Sequence, residues 1–496
     1  MVRAYILRYK NVVRGLMGIL TLLPVITFAE ARMLSLGLTG DDVTAIQNVL
    51  IAKGYLKAGS ASGYFGPLTE AAVKKFQCDQ NIVCTGGSSS GFGVVGGKTA
   101  AALSGLPTSA STGGVITGKS LTGPWKGAFE YSGWVPGWRA ASGTLDVMPH
   151  LKQLQSVMPF GYKVSSDGHL IDDAKLSKEP WPTFIAEARK NKVRVIPTVV
   201  WGSGPAIHAV LSDTKKRVAL EDEIAAAVKE NNFDGIDIDF EAKQDKTRDY
   251  FSTFLKGLSQ RLGKKWMYCT VEARMPLIDR YLPGETIPPD ATEFANDYNA
   301  MNKYCDRVEI MAYDQGTVNK RLNIARQAPY APVADPGWVE DIVQLAAQNI
   351  AKNKLVLGVP AYGYEYLVTP VNGSYRYNVL WAFNPDYAAK IAAKLGVTPV
   401  RTSANELGFT YDPKVLKALA PTGNDSTQTQ QQEEVSTTVQ NSGSQIQTNQ
   451  PFNFMTWSDA VAIKDKVDLA KKMGLRGVAV FSMGGAEDQG MWDVLK

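Results

Sequence analysis

Apolar and polar residues alternate from Phe233 to Glu241, in the order Phe-Asp-Gly-Ile-Asp-Ile-Asp-Phe-Glu, which is the two-residue period of a β-strand. Asp237, Asp239 and Glu241 share one face of that strand, and Ile236, Ile238 and Phe240 share the other. Like charges spaced roughly 7 Å apart add nothing to the stability of a strand, so something other than folding selects the acidic face. Seven more apolar runs read as strands, at 128–134, 157–164, 193–201, 265–272, 306–314, 355–362 and 477–481. Helix-period patterns lie between most of them, such as Val218, Ile224 and Val228, then Tyr250, Phe254, Leu255 and Leu258. Strand and helix in alternation predict a parallel α/β fold. Eight strands predict a closed (β/α)8 TIM barrel with insertions; an open doubly wound sheet is the alternative, but no glycine-rich phosphate loop follows any strand.

The pattern is different from Leu34 to Leu106. Val43, Ile46, Leu50 and Ile51 recur at helical spacing, Gly54-Tyr55-Leu56 closes that helix, and Ser62 to Gly66 forms a turn. Thr69 then caps a second helix carrying Ala72, Val73 and Phe76, and a last helix is expected near Thr99 to Leu103. This is a small all-α module. From 107 to 124 the chain turns to Gly, Ser, Thr and Pro with almost no charge, which predicts a flexible linker. The remainder, 125–496, is assigned to the barrel, with a small α+β insertion at about 363–454 between strands seven and eight. Within the insertion, 421–450 is rich in Gln, Thr, Ser and Asn and is expected to be disordered.

Charge changes the picture at the N-terminus. The formal charge of the 496-residue chain is +5, but Arg3, Arg8, Lys10 and Arg14 supply four of those charges, so the rest is nearly neutral and no nucleic-acid partner is indicated. That basic stretch, the apolar run Gly15 to Phe28 and the small residues around Ala29 read as a signal peptide over 1–29, which implies export. An uncleaved leader anchoring the chain in a membrane is the alternative; no later run is long and apolar enough to span a bilayer. Cys78 and Cys84 lie in one segment and Cys269 and Cys305 in another, compatible with two local disulfides or with four free buried thiols. With three histidines and no CxxC pair, the sequence implies neither a metal nor a cofactor.

In a barrel, chemistry is expected at the C-terminal ends of the strands. Three ends carry it here: Asp237, Asp239 and Glu241 on strand four, Met311-Ala312-Tyr313-Asp314-Gln315 on strand six, and Phe481-Ser482-Met483-Gly484-Gly485 on strand eight. A calcium loop cannot form from the acidic strand, because Ile236, Ile238 and Phe240 interrupt it. Trp134, Trp138, Trp201, Tyr362 and Tyr364 fall near predicted strand ends, where an aromatic face could meet a substrate.

Asp234-Gly235-Ile236-Asp237-Ile238-Asp239-Phe240-Glu241 fits in full the DGxDxDxE signature of glycoside hydrolase family 18, the chitinase and N-acetylglucosaminidase family, and Met311-Ala312-Tyr313-Asp314 fits its strand-six motif. The region from about Trp125 onward resembles that family, in tone closer to wall and spore-cortex hydrolases than to large secreted chitinases. The segments Asp42 to Gln47, Gly63 to Thr69 and Ala72 to Gln77 resemble the peptidoglycan-binding helical domain of bacterial wall enzymes. The two resemblances imply a retaining glycosidase acting on β-1,4-linked N-acetylglucosamine polymers, delivered to peptidoglycan, or chitin, by residues 34–106. A monomer is expected. The rival reading is a lectin-like wall protein on the same barrel, which would have no use for an acid at Glu241.

By that resemblance Glu241 is the acid, Asp239 orients the substrate acetamido group, Asp237 supports Asp239, and Tyr313 hydrogen-bonds the acetamido oxygen. Asp314, Met311, Phe481, Trp201, Trp134 and Tyr362 are expected to bind substrate, and Asp234 and Gly235 to be structural. Two departures stand out. Phe481 stands where the family usually has a tryptophan under the sugar, and Val200-Trp201-Gly202-Ser203-Gly204 replaces a Ser-x-Gly-Gly pattern on strand three.

Overall fold

A computed structural model describes residues 34–85, 91–96, 99, 102–103, 126–282, 284–371, 374–418, 436–439 and 450–496. The expected signal peptide, the linker and most of 421–450 lie outside these residues. The chain divides into two compact units, 1–114 and 115–496.

The described residues of the first unit include the helices α1 (Asp41–Ala52) and α2 (Pro67–Asp79). Val43, Ile46, Leu50, Val73 and Phe76 are buried together with Leu103. One polar arrangement occurs twice in it, thirty residues apart. Gln47 donates to the Tyr64 carbonyl (2.8 Å) and to Thr69 (2.9 Å) and accepts from the Gly63 amide (2.9 Å). Gln77 donates to the Val94 carbonyl (2.8 Å) and to Thr99 (2.9 Å) and accepts from the Gly93 amide (2.7 Å). Gly63 and Gly93 both have positive φ, 73° and 87°, which only glycine adopts freely. The module is therefore an internal repeat sharing α2, a pattern that helical periodicity alone does not reveal.

The second unit is the barrel. Its staves are β1 (Glu130–Pro136), β2 (Ser156–Val164), β3 (Thr198–Trp201), β4 (Gly235–Phe240), β5 (Trp266–Glu272), β6 (Arg307–Met311) and β7 (Leu355–Pro360). After β7 the chain enters an antiparallel sheet of β8 (Gly363–Val371), β9 (Ser374–Phe383), β10 (Leu407–Tyr411), β11 (Ser436–Val439) and β12 (Phe452–Trp457), then returns to the last stave, β13 (Gly477–Phe481). The staves pair in parallel in sequence order, and β1 pairs with both β2 and β13, which closes the barrel. The short strand β11 pairs with β9 and falls inside the tract that composition predicts to be disordered. Both disulfides form, Cys78 to Cys84 and Cys269 to Cys305.

Alternation along β4 has the consequence read from the sequence. Ile236, Ile238 and Phe240 are fully buried in the layer between staves and helices, where Phe240 packs on Phe251 and Phe254. Asp237 and Asp239 point the other way. Gly235 lets β4 press on β5: a Cβ there would sit 2.1 Å from the Trp266 carbonyl oxygen.

Apolar side chains of Trp134, Met158, Ile196 and Tyr268 form one interior cluster of the barrel. At the N-terminal ends of the staves Glu130 accepts from Arg307 (2.7 and 3.0 Å), Arg476 (2.6 Å) and Arg194 (3.2 Å). These guanidinium groups overcome the cost of burial and hold the Glu130 carboxyl at a pKa of about 2.

Candidate active site

At the opposite end, the residues of and beyond β4, β5, β6 and β13 surround a cavity of about 520 Å³. Asp237 lies deepest. Its carboxylate accepts from Trp134 Nε1 (3.0 Å), Thr198 (2.8 Å) and Thr270 (2.8 Å). Those donors favour its charge, while complete burial raises its pKa. Asp239 is next, 2 % exposed, with one carboxylate oxygen that meets no hydrogen-bond donor among the described residues. Burial and the neighbouring charges of Glu241 and Asp237 push its pKa well up.

Glu241, just past the end of β4, lines the cavity and hydrogen-bonds Asp239. Its pKa is raised by burial, then by the charges of Glu272 and Asp314, with Lys243 opposing. Asp239 and Glu241 interact, so their protons leave in steps that belong to the pair, and burial together with the neighbouring carboxylates shifts both pKa values upward.

The chain turns sharply after Glu241. Ala242 has a φ of 53°, and its amide donates to Glu272 Oε1 (2.7 Å). Gly204 lies against this turn, where a Cβ would come within 2.1 Å of the Ala242 carbonyl oxygen. The glycine of the unusual strand-three segment thus makes room for the backbone that aims Glu241.

Phe481 stands on the cavity floor. It stacks on Tyr313 at 5.5 Å between ring centres and 14° between planes, and meets Trp134 (5.9 Å), Tyr362 (5.9 Å) and Phe160 (6.2 Å) edge-on. Met311 and Asp314 also line the cavity. Asp314, at a φ of 60°, accepts from the Tyr362 hydroxyl and from the Tyr364 hydroxyl (2.7 Å).

Two aromatic expectations are corrected. Trp201 does not face the cavity; it is buried edge-on against Phe240 at 5.3 Å, in the layer under the helices, because it shares the outward register of β3 with Val199. Tyr362 binds Asp314 rather than forming the cavity wall, since its position just before β8 turns its hydroxyl inward. Trp138 is 69 % exposed and touches Phe160 at 5.6 Å. Asp234 lies at the start of β4, away from the cavity, and accepts from the Val195 amide (2.9 Å).

Three ionisable residues were not singled out from the sequence. Glu272 ends β5 and accepts from the Ala242 amide and Asn296 (3.1 Å); its place at a strand end was the signal that could have found it. Lys243 follows Glu241 by two residues, which also marks it. Glu309 is fully buried on β6, 3.4 Å from the Thr270 hydroxyl that also meets Asp237, and burial and the Asp237 charge raise its pKa strongly.

Comparison with known proteins turns this geometry into a family. The model for glycosyl hydrolases family 18 matches residues 134–486, which include all the cavity residues named above. The chain belongs to glycosyl hydrolase family 18. A second model, named "Putative peptidoglycan binding domain", matches residues 39–103. An uncharacterized glycosylase, YvbX, of Bacillus subtilis (strain 168) is 25% identical over 213 residues, 41% of this chain and 56% of that protein. The cortical fragment-lytic enzyme of the same organism is 22% identical over 275 residues, 55% of this chain and 52% of that protein. The chain thus spans about half the length of the curated relatives it matches. Among solved structures, the spore cortex-lytic enzyme SleL of Bacillus megaterium QM B1551 superposes with a TM-score of 0.54 at 21% identity, covering 74% of this chain and 73% of that one. A chitinase from Chromobacterium violaceum ATCC 12472 gives 0.54 at 19% identity, covering 74% and 98%. These two likenesses concern the fold. One chain thus carries a family-18 domain and a segment that matches the peptidoglycan-binding model.

Proposed function

We propose that the chain hydrolyses β-1,4 bonds of an N-acetylglucosamine-containing wall glycan, peptidoglycan in preference to chitin, by substrate-assisted retaining catalysis. The observation that carries the reading is one acidic line, Asp237, Asp239 and Glu241, rising from the barrel interior into a cavity floored by Phe481 and Tyr313. The peptidoglycan-binding match at 39–103 supports the choice of polymer, and Tyr64 and Leu68 offer exposed contact surface on that module.

In this reading the sugar whose bond breaks lies over Phe481, which presents an apolar face smaller than an indole. Glu241, whose pKa is raised by burial and by the charges of Glu272 and Asp314, gives its proton to the leaving oxygen. The carbonyl oxygen of the substrate's own acetamido group attacks the anomeric carbon, so no protein carboxylate becomes bonded to sugar. Asp239 accepts from the acetamido N–H and balances the positive charge of the oxazolinium ring, and Tyr313 donates to the acetamido oxygen. Water, deprotonated by the Glu241 carboxylate, then opens the ring with net retention. Asp237, held by three donors, keeps Asp239 in place, and Asp314 contacts the sugar. The leader at 1–29 would deliver the enzyme outside the cell.

Mass analysis of digests of purified peptidoglycan and of chitin oligomers is the test. The expected outcome is soluble fragments with N-acetylglucosamine at the new reducing or non-reducing end, and none when the acetamido group is replaced by hydroxyl. Equal rates on the hydroxyl analogue would refute the mechanism, and binding without any fragments would return the protein to the lectin-like reading.

A further inference from the structure

A second cavity, of about 310 Å³, continues from the first and shares Glu272, Ala273 and Met275 with it. Its wall comes from the residues directly after Glu241 and from the segment leading out of β5, and includes none of Asp239, Tyr313 and Phe481. It therefore lies on the proton-donating side of the site, where the departing sugar must sit.

The chemistry of this wall is unusual. Arg274 is clamped between two rings, 3.8 Å from the centre of Phe294 and 4.0 Å from that of Tyr298. Of its five N–H donors one is engaged among the described residues, by the Asn296 carbonyl at 2.6 Å. Among the described residues it forms no ion pair, and nearby Asp297 is already paired with Arg248 at 3.7 Å. Burial lowers its pKa, as it does for a cation without a counter-ion. Beside it, the Lys243 side chain is fully buried, with Glu272 at 3.7 Å as its ion partner and no hydrogen bond among the described residues. Tyr298 Oη and Asn296 Oδ1 are also buried without partners among those residues. Folding gains nothing from uncompensated polar groups gathered around a cavity.

Three carboxylates line the same cavity. Glu272 is occupied by the Ala242 amide, Asn296 and Lys243. Asp245 and Glu293 are exposed and hydrogen-bonded to each other. Arg280 also lines the cavity and donates to the Ala291 carbonyl (2.6 Å), so Lys243, Arg274 and Arg280 stand around Glu272 inside an acidic rim.

We infer that this second cavity takes a carboxylate carried by the sugar on the leaving side of the scissile bond, with Arg274 as its principal contact. The inference rests on the wall-glycan reading above and adds to it. A ring-clamped guanidinium is preoriented for a two-pronged bond to carboxylate. In a wall glycan the acid can be the ether-linked lactyl group of N-acetylmuramic acid, or an acid of a peptide attached through that group. A chitin chain carries neither, so this cavity would be the place where the enzyme tells the two polymers apart.

The test uses the full chain and three leaving sugars: the free lactyl acid, its uncharged amide, and the same group extended by a peptide. Hydrolysis (kcat/KM) is measured for each, and binding in parallel by calorimetry with the Glu241→Gln protein. The expected result is that an acidic form is preferred over the amide by about ten- to a hundredfold, the size of one charged hydrogen bond, and that Arg274→Gln brings the ratio close to one while Arg274→Lys restores part of it. Preference for the free acid assigns the lactyl group; preference for the peptide form alone assigns the peptide acid. Equal treatment of all three by the unaltered protein, or a ratio unchanged in Arg274→Gln, overturns the inference. If no sugar is hydrolysed the hydrolase reading fails, and the calorimetric ratio still decides the inference. Comparing acid with amide on the unaltered protein keeps the test independent of how any variant folds.

Discussion

At the N-terminal end of the barrel Glu130 is surrounded by Arg194, Arg307 and Arg476, whereas at the C-terminal end Asp239 and Glu241 face Glu272 and Asp314, with Lys243 the nearest cation. Both sets of acids are largely buried, yet one is held ionised and the other is pushed toward the neutral acid. Surplus positive charge closes the lower end and makes Glu130 a structural part. Surplus negative charge at the upper end, added to burial, raises the pKa of both members of the pair, the direction that favours the acid form in the reading proposed above. The same residue type serves folding at one end and, in that proposed reading, chemistry at the other, because its neighbours differ.

The strongest way to break this contrast is Glu241→Gln. Loss of a general acid is expected to lower kcat by about 10²- to 10⁴-fold, read by reducing-end release, while affinity for oligosaccharide stays within a fewfold. Activity that survives the change would remove Glu241 from its role.

Glu130→Gln attacks the other end. It leaves three guanidinium groups around a neutral amide and is expected to cost about 3–5 kcal/mol of stability, measured by urea unfolding, with kcat unaltered in the protein that remains folded. The pH dependence has a definite sign. The folded pKa of Glu130 is about 2, below its ordinary value of 4.5, so its contribution is complete above the unfolded pKa and is lost as pH falls from there toward 2. In Glu130→Gln that acid-side loss should be smaller.

Asp239→Asn sharpens the comparison by the smallest expected shift. Because the folded Asp239 has a raised pKa, its ionisation opposes folding, and stability is lost as pH rises through that pKa. The amide should therefore raise stability by about 0.5–2 kcal/mol above neutral pH while turnover falls. A melting temperature lowered at every pH would show that Asp239 supports the fold instead.

Much of this plan was legible in the chain. Apolar runs placed the other staves, because each buries side chains under helices, and the acidic face of β4 emerged from its two-residue alternation. Trp201 was misread because a strand-end aromatic has two sides to face, and register on a four-residue strand such as β3 is weakly marked. Tyr362 and Tyr364 were judged by their rings, but Asp314 claims their hydroxyl groups, a contact between segments fifty residues apart. Glu309 and the Arg274 clamp were invisible for a similar reason: Glu309 depends on side chains of neighbouring staves and Arg274 on residues farther along the connection from β5 to β6. The repeat of Gln47 and Gln77 was readable as spacing, yet its meaning lies in side-chain hydrogen bonds that helical periodicity does not encode.

The Cys269–Cys305 bond joins β5 to the helix that precedes β6 (Tyr298–Tyr304). The intervening stretch carries Glu272, Arg274, Phe294, Asn296 and Tyr298, and little of it is regular structure. Closing a loop of 36 residues removes freedom from the unfolded chain that is worth about 3–4 kcal/mol in the loop-entropy view. The wall of the second cavity is thus tethered covalently at both ends, so a segment too polar to hold itself by a core keeps a defined shape once the thiols have been oxidised.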